Sequence, residues 1–153
     1  EVVLTEALIQ NAVGHKSFDY RVLNLVMHRL LKKEPSQDHL HFLRCSELLT
    51  EIEDDLTDYE EDIERDSFNT YRLYIKLFGP QHGPKALASW ISSLEADLEH
   101  LSQKVPAALM TCFTARCREA MAAAGPGSSR YVVPPPIENE ESFRLLLRRE
   151  TPK

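Results

Sequence analysis

Apolar residues recur at helical spacing along most of the chain, and nowhere do they alternate with polar ones for long enough to specify a strand. A first helix is predicted over 2–13, with Gly14 just past its end. Ser17 is placed to cap a second, 18–33, whose Val22, Leu23, Leu25, Val26, Leu30 and Leu31 make a broad face expected to be buried. Pro35 stops that helix, and Ser36 caps a long third one, about 37–65. A fourth, capped by Ser67, ends at Phe78 before Gly79-Pro80; a fifth opens at Pro84 and runs to about Lys104, with Leu87, Trp90, Ile91, Leu94, Leu98 and Leu101 at core spacing. Pro106 opens a sixth that ends near Ala124. Tyr131-Val132-Val133 is too short for a strand and runs into three prolines.

The pattern predicts an all-α fold: a compact antiparallel bundle over 1–124, a Gly/Ser/Pro-rich linker over 125–138, and a short amphipathic helix over 139–150. Asn139 is its expected cap. Phe143, Leu146 and Leu147 lie on one side, with Arg144, Arg148 and Arg149 elsewhere, so the helix either folds back on the body or docks on a partner. One domain of 153 residues, 42% hydrophobic and 27% charged, is long enough to bury a core.

A net charge of −6 disfavours nucleic acid as a partner, since phosphate binding needs clustered Lys and Arg. No apolar run reaches the ~20 residues that span a bilayer, so the chain is expected to be soluble and intracellular, its compartment unread because it opens at Glu1 without Met. Three cysteines without a CxxC, Cys45, Cys112 and Cys117, give neither a disulfide framework nor a zinc site, and each suits a buried place in a helix. His41 and Cys45 are one turn apart but lack a third metal ligand. Tyr71, Tyr74, Phe78 and Trp90 suit core positions.

The third helix carries the candidate chemistry. On a helical wheel Cys45, Leu48, Leu49, Ile52, Leu56, Tyr59 and Ile63 form one apolar stripe, and Glu51, Asp55, Asp58 and Asp62 run along its flank. Asp54, Asp58 and Asp62 also climb successive turns roughly 6 Å apart. Like charges at this spacing weaken a helix, so helix stability alone does not call for the row. Magnesium takes hard oxygen ligands, one or two carboxylates together with substrate phosphates, and such a row beside an apolar wall suits a diphosphate. An acidic run is as compatible with a solvated face, or with a surface for a basic protein partner.

The segment Asp54-Asp55-Leu56-Thr57-Asp58-Tyr59-Glu60-Glu61-Asp62 resembles the second aspartate-rich motif of trans-prenyltransferases, DDxxD with a further Asp four residues on. It is also similar to the NSE/DTE motif of terpene synthases, with Asp58 in the Ser/Thr place and Asp62 in the Glu place. Both belong to the class I isoprenoid synthases, all-α enzymes that hold Mg²⁺ around a prenyl diphosphate between two acidic motifs. The resemblance implies Mg²⁺ ligation by Asp54, Asp58 and Asp62, with Asp55 as an alternative ligand. It brings Arg65 or Arg72 close enough for diphosphate contact, and it implies transfer or cyclisation of an allylic prenyl diphosphate. It covers about one helix. A first DDxxD is not found among these residues, so the expectation is the C-terminal portion of a synthase-like protein, or a relative that kept the helix and is not catalytic alone. The alternative is a non-enzymatic helical interaction module that uses the acidic stripe and the C-terminal helix.

Overall fold

A computed structural model describes residues 3–124 and 131–150, and every regular element among them is an α-helix. The elements are α1 (Glu6–Lys16), α2 (Asp19–Leu30), α3 (Gln37–Thr57), α4 (Tyr59–Arg65), α5 (Thr70–Phe78), α6 (Gly83–Ser102), α7 (Ala107–Ala124) and α8 (Glu140–Glu150). The bundle is built on α3, which packs against α1, α5 and α6.

The apolar stripe of the third helix is the core of the molecule. Leu49, Ile52, Tyr59 and Ile63 are sealed from solvent with Ile9 and Val13 of α1, Tyr71 and Tyr74 of α5, and Leu87 and Ile91 of α6. The core aromatics sit where the sequence expects them. Tyr59 and Tyr71 meet edge to face at 4.8 Å, and Tyr74 stacks on Trp90 at 5.9 Å. Burial pushes the Tyr71 phenol up to about 12, with Tyr59 adding to the shift.

Local signals place most helix ends, with corrections. Ser36 caps α3 and Asn139 caps α8, their side chains accepting from the His39 and Ser142 amides. Thr5 caps α1, so that helix starts and ends later than expected. Gly14 therefore lies inside its last turn and Ser17 closes it. Ser17 does not cap α2; its hydroxyl donates to the Glu47 carbonyl. The helix expected over 37–65 bends at Asp58, although the bonds from Asp58 N to Asp54 O and from Asp62 N to Asp58 O run through the bend. Asn69, not Ser67, caps α5, because Ser67 is turned toward Asp62. Cys45 is buried as expected, but Cys112 is exposed.

The expected linker falls partly outside the described residues, at 125–130. From Tyr131 to Asn139 the chain is extended and lies on the body, where the Tyr71 hydroxyl donates to Pro134 O and Ile137 N donates to the Tyr59 hydroxyl. Helix α8 then folds back onto α4. Arg144 reaches the Ile63 carbonyl and Phe143 packs on the core, while Leu146 points outward.

One expectation is overturned outright. The apolar residues of α2 are not a buried face, since Leu23, Leu25, Val26, Met27, Leu30 and Leu31 are all exposed and Leu30 keeps 72% of its surface. The three partly shielded residues of α2 are Arg21, Asn24 and His28. At about 100° per residue they share one narrow side of the helix. So α2 is mounted polar side in.

Candidate functional site

The four acidic candidates separate into two pairs with different surroundings. Asp55 is 1% exposed. Its carboxylate accepts from the Thr70 amide (2.8 Å), the Thr70 hydroxyl and the Lys16 ammonium (2.9 Å). That arrangement joins α1, α3 and the first turn of α5, where a negative charge also suits the helix N-terminus. Asp62 is half-buried; it accepts from Ser67 Oγ at 2.6 Å and from Asn69 Nδ2 at 2.9 Å. Asn69, fully buried, bonds Asp55 O through the same amide and receives Arg72 N at its own oxygen. Asp55, Asp62, Asn69 and Thr70 thus form one closed polar network whose acceptors are occupied by the chain itself.

Asp54 and Asp58 are exposed and one turn apart, with Asp58 at the bend itself. Partial burial pushes the Asp54 carboxyl above its ordinary range, and the neighbouring charge of Asp58 adds to it, while Lys16 opposes. Glu51, on the same flank, is ion-paired to Lys16. Burial alone would lower the Lys16 ammonium, but its bonds to Glu51 and Asp55 raise it.

The two arginines do not approach this row. Arg65 is exposed and paired with Glu61. Arg72 donates twice to Glu140, at 2.6 Å each, and also to Asp66 and the Ser67 carbonyl, which fastens α8 to α5. The cleft beside it, about 740 Å³, is lined by Tyr59, Phe68, Arg72, Lys76, Ile137 and Glu140 among others, and none of the four aspartates reaches it. Among the described residues, no three His, Cys, Asp or Glu side chains come together as metal ligands.

The feature that helical spacing did not disclose is the underside of α2. Glu47, buried in α3, accepts from the Arg21 amide at 2.8 Å and from the Arg21 guanidinium, which also donates to the Gly14 and Ser17 carbonyls. His28 lies toward His39, whose imidazole is lowered by burial and further by the charge of His28. A buried carboxylate needs a paired cation. Satisfying Glu47 with Arg21 turns the apolar arc of α2 to solvent. A Glu among Leu48, Leu49 and Ile52, with an Arg on the preceding helix, is the signal that marks this in the sequence.

No protein-family model matches this chain, and neither a curated protein nor a solved structure matches it.

Proposed function

We propose that this chain is a non-enzymatic helical interaction module whose working surface is the outward face of α2. The observation that carries the proposal is the polarity of that helix: Arg21, Asn24 and His28 turned inward, and Val22, Leu23, Val26, Met27 and Leu30 exposed side by side. An apolar face of this kind marks a protein contact when it is contiguous, whereas single exposed leucines are ordinary. The C-terminal helix, folded back on α4, serves as part of the body.

An apolar fluorescent dye tests it. Dye captured by the dilute wild-type chain should be lost in a Val22→Ser/Val26→Ser/Leu30→Ser variant that keeps its helical circular dichroism. Capture unchanged in that variant would place the accessible apolar surface elsewhere and end the proposal.

A second function is favoured by the crowding at Asp54. Two exposed carboxylates one turn apart, the charge of Asp58 adding to the upward push on Asp54, suit a magnesium ion held together with a diphosphate, as the isoprenoid-synthase resemblance implies. Asp55 and Asp62 are engaged by the fold, so Asp54 and Asp58 would be the ligands. Magnesium titrated with pyrophosphate should then raise the Tm of the wild type and not of an Asp54→Ala/Asp58→Ala variant. An equal rise in both would exclude those two residues.

A further inference from the structure

We infer that the occupant of the α2 face is α2 of a second copy of this chain, packed antiparallel about a twofold axis level with Asn24. The inference rests on the docking role proposed above and commits it to one partner.

The first ground is charge. Near its two ends the exposed arc carries one residue of each sign, Asp19 in the first turn and Arg29 in the last. Among the described residues neither has an ion-pair partner. An antiparallel copy in this register brings Asp19 of one helix level with Arg29 of the other, at both ends of the interface at once. A parallel copy would set like against like. Between these pairs the same register puts Val22 against Val26, and just beyond them Phe18 against Leu30, so apolar side chains meet apolar ones on both sides of each charged pair. Self-complementarity is what a twofold interface requires, because each residue meets its counterpart's mate twice.

The second ground is size. Phe18, Val22, Leu23, Val26 and Leu30 share the outward side and are each between 46% and 72% exposed, with Leu25 and Met27 at its two edges. At on the order of 100 Å² of open surface apiece, the five alone supply more than half of the roughly 800 Å² per partner that a stable interface buries. Valines at the centre allow the axes to come within the 8–10 Å of close helix packing. The polar underside of α2 stays on α3 throughout, so pairing requires no rearrangement of the bundle.

Sedimentation velocity over a wide concentration range tests this on the full chain. A reversible dimer is expected. Val26→Asp should leave a monomer with unchanged helical content. Asp19→Arg and Arg29→Asp should each weaken the dimer about tenfold, and the two together should restore most of the loss, because the pair is only reversed. The inference is overturned by a wild type that stays monomeric at the highest concentration, by a dimer that survives Val26→Asp, or by a double variant no better than the singles. Monomeric protein that loses dye in the triple serine variant would defeat self-pairing and leave the docking role standing. Dye capture indifferent to the triple variant would defeat the docking role itself.

Discussion

Arg21 and Glu47 hold α2 to α3 through both the backbone amide and the guanidinium of Arg21, beneath a helix whose apolar residues face the other way. Glu47 is buried, so removing it strands a cation that also ties down the end of α1. Glu47→Ala is expected to cost about 3–5 kcal/mol, the range for breaking a buried pair from one side. Urea unfolding measures it. A loss under about 1 kcal/mol would mean that the pair does not anchor α2.

The aspartates of the acidic helix should respond oppositely to truncation. Asp55→Ala leaves the buried Thr70 amide and hydroxyl without their acceptor and takes one of two carboxylates from Lys16, and about 3 kcal/mol or more of stability should go with it. Asp54→Asn instead relieves crowding with Asp58 and should stabilise by a few tenths of a kcal/mol at neutral pH. The sign follows from the shift. Its carboxyl is raised in the folded chain, so ionisation disfavours the fold, and the gain should vanish as pH falls below the ordinary 3.8. Equal effects at the two positions would contradict the division into network and surface pairs.

The connection between α5 and α6 depends on two glycines. Gly79 has φ +79° and ψ 165°, a region that other residues enter at about 1–3 kcal/mol. A Cβ on Gly83 would stand 2.9 Å from Ile75 Cα and 3.0 Å from Tyr74 O, backbone atoms that cannot move aside. Gly83→Ala should therefore force α5 and α6 apart and cost more than Gly79→Ala, with thermal unfolding giving the order. The reverse order would show that the turn, not the close approach, is limiting.

Acid should release the C-terminal helix early. The hydrogen bond from Arg72, opposed by partial burial, holds the Glu140 carboxyl below its ordinary 4.5. The clamp is thus complete above that pH and is lost as pH falls through the lower folded value. Hydrogen exchange in α8 should accelerate over that window before the core amides do. Glu140→Gln should loosen α8 at neutral pH and flatten the dependence.

Much of the fold was legible because periodicity reports a shared face. The stripe from Cys45 to Ile63 and the residues Leu87, Ile91 and Leu94 are buried as their spacing required. What spacing does not report is which side of a helix turns inward when both are eligible. On α2 the apolar arc is wide, and the choice was made by Glu47, twenty-six positions from Arg21. The same limit applies to the aspartates. Their common flank was readable, but the assignment of Asp55 and Asp62 to internal bonds depends on Asn69 and Thr70 arriving from α5.

Unfolding of the triple serine variant at Val22, Val26 and Leu30, at a dilution where the chain is monomeric, reads out which side of α2 faces the core. Exposed side chains contribute little to the monomer's stability. The variant should therefore unfold within about 1 kcal/mol of the wild type, whereas Leu49→Ala in the core should lose about 2–5 kcal/mol. A triple variant that loses as much as Leu49→Ala would show that the apolar side of α2, and not Arg21, Asn24 and His28, faces the core.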